Sequence, residues 1–600
     1  MKLSDYVIDF LVRHGVKHVF MLPGGGSMHL NDSLGARAAK GDIEFVCNLH
    51  EQASAMAAET YGKAVRGLGV CMVTTGPGGT NTITGAAGAW LDSTPVLFLS
   101  GQAKRPDLKG NSGVRSSGLQ EVDIVSIVSP ITKYAVMVMD PEEIRMILER
   151  AVFEALQGRP GPVWIDIPLD VQAATIDPEK LKSYIPPKEE KTSNLPEKIS
   201  KTIDLLNRAS RPLILAGNGI RLAHAEKEFR DLIDYLKIPV LATWLSVDLF
   251  SYEDPLYLGK PGTVAPRGVN FALQNCDFLL VIGSRLDVTL TAYAPENLAR
   301  GAHKVMVDID PSELKKLASF TDVSIQADAG DFIRGFLEQK TEVAHPDRSD
   351  WWDRCQKWKK AWPLVHPSMR KPDQLVSIYN LADILSEELK DGELIVSGSS
   401  GSGIEIFQHV LRLKLGQRLF HTTALGSMGY GLPGAIGACL GCDRRETICV
   451  DGDGGIQMNI QELATVERLG LPIKFFILSN DGYSSVRNSQ QRWFGRVMAA
   501  DEQTGLKLPD ITKVAAAYGL PVYRIADQSH LREEIRQVLD TPGPIVCEVC
   551  CPLEEARIPS MSSAQRKDGS LYSKPLEDLW PFLDREEFLA NMIVPPLTEE

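Results

Sequence analysis

Two polar residues end apolar runs in the stretch from Val450 to Asp481, VDGDGGIQMNIQELATVERLGLPIKFFILSND. Asp453 sits among Gly452, Gly454 and Gly455, and Asn480 closes the second run 27 positions later. Neither ending helps a core, and both suit a hard cation. Mg2+ takes a few oxygen ligands and completes its shell with water and phosphate oxygens. An aspartate, an Asn amide oxygen and a nearby backbone carbonyl would be the protein's share. The three glycines strip side chains from the loop, so backbone N–H groups can approach an anion. The NIQELATVERLG that follows reads as a helix aimed at the same place. Taken alone, Gly-Asp-Gly is equally well explained as turn chemistry.

Ligands of parallel α/β sheets bind beyond the carboxyl ends of the strands, and the rest of the chain supplies such sheets. Short apolar runs alternate with helix-like stretches almost throughout. In the first third the strands are HVFML, EFVCNL, GVCMVTT, PVLFLS and PVWIDIP, separated by segments such as EQASAMAAETYGKAV. A second set, RPLILAGNG, IPVLAT, CDFLLVIGSRLD and KVMVDIDP, follows a charged, proline-bearing linker around 177–198. A third set runs from ELIVSGSSG through ETICVDGDGG and IKFFILSND to GPIVCEVC. The pattern predicts α/β architecture: three doubly wound parallel-sheet domains, at 1–176, 195–340 and 373–555, plus a C-terminal tail over 556–600. The Trp-containing segment 341–372 reads as a second linker or a surface excursion.

Composition fits that division. Six hundred residues exceed one core at roughly 150 residues per domain. The excess of 77 acidic over 64 basic side chains, a net charge of −13, disfavours nucleic acid or an anionic membrane as partner. The N-terminal MKLSDYVIDFLVRHG mixes charge through its apolar residues and reads as an amphipathic helix rather than a signal peptide, so the cytoplasm is the default compartment. Cys439/Cys442 and Cys547/Cys550 have CxxC spacing, but PIVCEVC alternates like a strand, in which residues three apart point to opposite faces. Buried free cysteines are the expected reading.

The Asp453–Asn480 stretch resembles the thiamine-diphosphate motif, which opens with Gly-Asp-Gly and closes near Asn-Asn; Ser479 departs from the first Asn of that pair. The resemblance implies Mg2+ held by Asp453, Asn480 and the backbone carbonyl of Gly482, with Tyr483 next to the cofactor. FVCNLHEQASAMAAE is similar to the segment carrying the activating glutamate, here Glu51. A carboxyl bonded to the aminopyrimidine nitrogen promotes the tautomer that deprotonates the thiazolium carbon; without the other motifs Glu51 would read as a first-turn acid complementing the helix dipole. ALGSMGYGLPGAIGA resembles the segment that wedges under the cofactor, implying Met428 as the wedge and the Gly426 carbonyl as acceptor of the amino group. LPGGGS, with Pro23, Gly24, Gly25 and Gly26, is similar to the loop facing the thiazolium, and GLQEVDI supplies Leu119 and Gln120. VSGSSGSG sits where the family binds the diphosphate, with Ser402 as the candidate. VTTGPGGTNTITGAAGAWLDSTPVLFLSGQ and GRPGPVWIDIPLDVQ resemble acetolactate synthase and its relatives, and the resemblance spans residues 1–555.

From that family follow a 2-keto acid donor, a carbonyl acceptor, and a homodimer or homotetramer in which Glu51 of one subunit reaches the cofactor of the other. Acetolactate synthases usually hold FAD in the central domain; GKPG at 259–262 and GSRLD at 283–287 match that pattern only in part. The acceptor arginine of the family falls on Thr289, and its tryptophan is displaced to Trp493, with Ser489 at the family position. Acetolactate synthesis with Arg487 or Arg492 replacing the arginine, transfer to a nucleotide keto-sugar shaped by NSQQRWFGR and the tail, and plain decarboxylation therefore stand as alternatives. A dinucleotide-dependent oxidoreductase would need a complete G-x-G-x-x-G, and GNGIRLAH has only its first two glycines. A non-catalytic scaffold would not need Glu51, Asp453, Asn480 and Met428 together.

Overall fold

The computed structural model describes residues 1–188, 194–398, 401–565 and 569–597. Its eighteen long-sheet strands form three parallel six-stranded sheets, flanked by helices. The first comprises β1 (His18–Met21), β2 (Glu44–Cys47), β3 (Gly69–Val73), β4 (Val96–Gln102), β5 (Tyr134–Met137) and β6 (Val163–Pro168), in the order β2-β1-β3-β4-β6-β5. The second comprises β7 (Pro212–Ala216), β8 (Val240–Ala242), β9 (Tyr257–Gly259), β10 (Phe278–Ile282), β11 (His303–Asp308) and β12 (Val323–Gln326), in the order β12-β11-β10-β7-β8-β9. The third comprises β13 (Leu394–Ser397), β14 (Arg418–Phe420), β15 (Thr447–Gly452), β16 (Ile473–Ser479), β17 (Val522–Ile525) and β18 (Ile545–Cys550), in the order β14-β13-β15-β16-β18-β17. Counted from its own first strand, each of the outer sheets runs 2-1-3-4-6-5. The middle sheet, read from its other edge, runs 3-2-1-4-5-6, the order of dinucleotide-binding folds.

The chain divides into two compact units. One contains Met1–Glu189, Glu393–Ile404 and Phe420–Leu553; the other contains Glu190–Gly392, Glu405–Leu419 and Glu554–Glu600. In the first unit a single apolar core links both flanking sheets, running from Phe20 and Phe98 to Leu432 and Phe475. Its middle is a close contact between the helices Glu51–Val65 and Gly431–Gly441. Small residues make this approach possible: a Cβ on Gly437 would lie 2.2 Å from the Ala57 carbonyl oxygen. Thr60 Oγ1 donates to the Tyr430 hydroxyl across the same contact at 2.8 Å.

In the second unit, segment 341–372 differs from the expected linker. It carries a helix, Ser349–Ala361, whose Trp351, Cys355 and Trp358 are buried. This helix lies against Arg267–Asn275, with no room for a side chain at Gly268 beside the Trp358 carbonyl. Trp351 Nε1 donates to the Pro212 carbonyl at 3.0 Å, so even its indole N–H is satisfied inside. The polar residues between the tryptophans form the helix's outer face, which is what made the segment read as linker. Leu576 and Phe588 of the last residues join the same apolar cluster.

Candidate active site

β15 and β16 are hydrogen-bonded neighbours, so the loops after Gly452 and Ser479 leave the same sheet edge side by side. Asp453 opens the short helix Asp453–Ile456 and is 7% exposed. Its Oδ2 accepts the N–H groups of Asn480 at 3.0 Å and Gly482 at 3.3 Å, and its Oδ1 accepts that of Gly454 at 2.8 Å. Burial nevertheless pushes the carboxyl up to about 6, outweighing three donors that favour the anion. A divalent cation at its remaining lone pairs would favour ionisation instead. Among the described residues no three His, Cys, Asp or Glu side chains converge as a metal site. A cation here would therefore depend on Asp453, on neutral oxygens such as the Asn480 amide and the Gly482 carbonyl, and on phosphate oxygens from a ligand.

The glycines around Asp453 have more local jobs than approach to an anion. The N–H groups of Gly452 and Gly454 donate to the Asp451 and Asp453 side chains, each at 2.8 Å. A Cβ on Gly454 would meet the Tyr483 ring at 2.3 Å, and one on Gly455 would meet Asp451 Oδ1 at 2.5 Å. The helix expected from NIQELATVERLG begins later, at Leu463, after a 3-10 stretch in which Asn459 is non-helical. Ser402 is buried; its N–H donates to Ser485 Oγ at 2.7 Å, which joins the loop after β13 to the helix that follows Tyr483. Ser399 and Ser400 lie outside the described residues.

A second cluster forms at the ends of β1 and β3. The Gly26 N–H donates to Thr74 Oγ1 at 3.0 Å, and its carbonyl accepts Gln172 Nε2 at 2.7 Å. Gly24 and Gly26 press on Thr74 and Thr75, whereas Pro23 and Gly25 face outward. Gln120 is exposed with a left-handed φ of 56°, its carbonyl over Gly76, and Leu119 is 88% exposed. Glu121 fixes this loop by accepting the N–H groups of Lys109, Ser117 and Gly118.

Glu51 is the first residue of its helix and is 7% exposed. Its Oε2 accepts Asn81 Nδ2 at 2.9 Å. The segment before it hangs on Glu462, which is fully buried and accepts Asn48 Nδ2 at 2.9 Å, Leu49 N–H at 2.9 Å, His50 N–H at 3.1 Å and Thr465 Oγ1 at 2.7 Å. Asn459 makes a parallel tie, donating to the Gly429 carbonyl at 2.8 Å and to Gln52 Oε1 at 3.1 Å. Gly426, with φ 62°, and half-buried Met428 immediately precede that carbonyl. Among the described residues Glu51 makes no hydrogen bond to Gly426–Met428 or to the Asp453–Tyr483 loops; Asn459 and Glu462 tie its segment to the third sheet instead. Asn81, Asn459 and Glu462 were not singled out from sequence, where each is an ordinary polar residue of a helical stretch.

Comparison with known proteins gives these clusters a context. Residues 1–127 match the thiamine pyrophosphate enzyme N-terminal TPP binding domain, 199–336 the central domain, and 400–549 the C-terminal TPP binding domain. The acetolactate synthase large subunit of Pyropia yezoensis is 32% identical over 94% of this chain and 96% of its own length. The chain belongs to the acetolactate synthase family of thiamine pyrophosphate enzymes. A probable acetolactate synthase large subunit of Methanocaldococcus jannaschii is 33% identical over 93% of each chain, and the chloroplastic acetolactate synthase of Arabidopsis thaliana 32% identical over 94% of this chain and 83% of its own. The three matches fall on the three sheets. Among the described residues no helix is long and apolar enough to cross a membrane. This acetolactate synthase-like chain is an enzyme; its N-terminal TPP-binding match lies in the first compact unit, as does its C-terminal one apart from residues 405–419.

Proposed function

We propose that the enzyme decarboxylates pyruvate or a close 2-keto acid and transfers the remaining two-carbon unit to a second 2-keto acid, with acetolactate as the product from pyruvate alone. The observation that carries this reading is the buried Asp453 carboxylate meeting the Asn480–Gly482 loop at one sheet edge, in a chain similar along nearly its whole length to acetolactate synthases. Thiamine diphosphate, when bound, supplies a nucleophilic carbon and an electron sink for loss of carbon dioxide. Asp453, Asn480 and the Gly482 carbonyl would hold Mg2+, and Ser402 would face the diphosphate. Glu51, oriented by Asn81 and by the Glu462-bound segment before it, would hold and return the proton at the aminopyrimidine nitrogen. Met428 and the Gly426 carbonyl would set the bend of the cofactor. Gly24–Gly26 and Gln120 would border the reacting carbon. An active site shared by two subunits, as the family resemblance implies, is part of this proposal.

For the acceptor, Thr289 offers no cation: its N–H and hydroxyl both donate to Asp287 Oδ1, at 2.9 Å and 2.5 Å. Arg487 is buried and lies 3.4 Å from Asp501. Arg492 is exposed beside Trp493, on the helix that follows Tyr483, and is our candidate for the acceptor carboxylate. No observation favours a keto-sugar acceptor. The reading does not require flavin; a visible flavin band in the purified protein would add FAD to it. Mass spectrometry of products from pyruvate with thiamine diphosphate and Mg2+ tests the proposal. Acetolactate is expected; acetaldehyde alone, or turnover only with a non-acid acceptor, would overturn it.

A further inference from the structure

A cavity of about 260 Å3 lies within the second unit, where the end of β9 meets residues 408–413. Two basic side chains in its wall are more than nine-tenths buried, Lys260 at 7% and His409 at 6% exposure. Among the described residues neither ring nitrogen of His409 has a hydrogen-bond partner. Lys260 Nζ donates to the Gln408 carbonyl at 3.0 Å and sits 3.2 Å from the Trp244 ring centre, with no carboxylate of the described residues in contact. Burial and the neighbouring Lys260 push His409 down to about 3, and burial lowers Lys260 as well, with only Glu405 acting to raise it. Arg370 and Arg412 both pair with Asp383, all three lining the cavity, and Arg412 also lies 3.5 Å from Glu387.

Buried polar groups in folded proteins nearly always find partners, so two unsatisfied ring nitrogens facing a cavity call for an explanation. Water could satisfy the imidazole, but it would bring Lys260 no anionic partner. The wall combines these two buried basic groups with apolar and aromatic surface from Tyr252, Tyr257 and Trp362. Its volume is just under the range of about 300–1,000 Å3 typical of small-molecule sites, which favours a compact ligand over a nucleotide. We propose that this cavity binds a small organic anion, a carboxylate or phosphate monoester on a compact apolar body, with its oxygens toward Lys260 and His409 and its body against the rings. None of these residues belongs to the site assigned to catalysis, so the proposal stands independently of the reaction.

Calorimetric titration of the full-length protein with benzoate, phenyl phosphate and benzyl alcohol tests it, the two acids separating a carboxylate ligand from a phosphate ester. At least one acid should bind, and the neutral alcohol should bind at least about tenfold more weakly, as expected for loss of a charge-assisted hydrogen bond. Lys260→Met and His409→Leu should each weaken the preferred acid by a similar factor, with thiamine diphosphate affinity unchanged. Absence of binding by both acids, equal binding of the alcohol, or undiminished binding by a folded Lys260→Met or His409→Leu protein would overturn the assignment. The comparison of acid with alcohol needs no variant, so a misfolded mutant does not remove the test.

Discussion

The first and third sheets have the same strand order but put different chemistry at equivalent positions. After the third strand of each, the first sheet presents Thr74–Gly76 and the third presents Gly452–Gly455 around Asp453. The second strand leads in one to Glu51 and its helix, and in the other to Gly426, Met428 and the helix Gly431–Gly441. Those two helices are the pair that pack face to face. Equivalent scaffolding thus carries one buried carboxyl, Glu51, at the start of a helix on one side and another, Asp453, in a glycine loop on the other. The scaffold positions loops, and the side chains placed on them decide the chemistry.

Substitutions on the two sides should separate these roles. Glu51→Gln is nearly isosteric and removes only the group proposed to carry the proton, so turnover should fall by about 10²–10⁴-fold. Steady-state kinetics at saturating cofactor reads this, and turnover within a factor of a few of wild type would exclude Glu51 as the activator. On the other sheet, Asp453→Ala should weaken thiamine diphosphate binding by roughly two orders of magnitude, the worth of about 3 kcal/mol for a charged ligand. Excess Mg2+ and cofactor should restore part of the activity, as expected when binding rather than chemistry is damaged.

Glu462→Ala addresses the tie between the sheets. It leaves the Leu49 and His50 N–H groups and the buried Asn48 amide without their acceptor, at a cost of about 1–3 kcal/mol for the buried amide. Urea unfolding should show the loss, and turnover should fall more than cofactor affinity, because the segment released leads to Glu51. An unchanged midpoint would mean that these donors find other partners.

The smallest effect, taken per pH unit, concerns Asp166, in β6 of the first sheet. Burial pushes it up to about 7 despite bonds from Ser100 Oγ at 2.6 Å and Gln102 Nε2 at 2.9 Å. Between the unfolded value near 4 and about 7 the native state holds a proton that the unfolded chain has released. Stability should therefore fall as pH rises through this window, by at most about 1.4 kcal/mol per pH unit from this group. Glu59 and Asp451 are raised in the same direction, so Asp166→Asn should remove part of the slope. Melting temperatures from pH 5 to 8 check it.

The same contrast between central and peripheral elements governs what could be read from the sequence. β3, β4, β7, β10 and β15 are buried along nearly their whole length, and strands covered on both faces leave continuous apolar runs. β5, β9, β12, β14 and β17 left no such trace. β9 and β14 have three residues each, and β17 is largely exposed at its sheet edge. Asp453 and Asn480 were legible because a polar residue at the end of an apolar run has no packing role. Glu462 was not, since its partner Asn48 lies 414 positions away. A buried acid in a helix looks like a surface acid until the backbone it holds is in view.

Calorimetric titration of thiamine diphosphate, at fixed Mg2+, into Glu51→Gln and Asp453→Ala side by side tests most directly whether the two sheets divide the work. The assignment predicts near wild-type affinity for Glu51→Gln, which would still be nearly inactive, and strongly weakened affinity for Asp453→Ala. Equal affinities in the two variants, or weakening confined to Glu51→Gln, would contradict it.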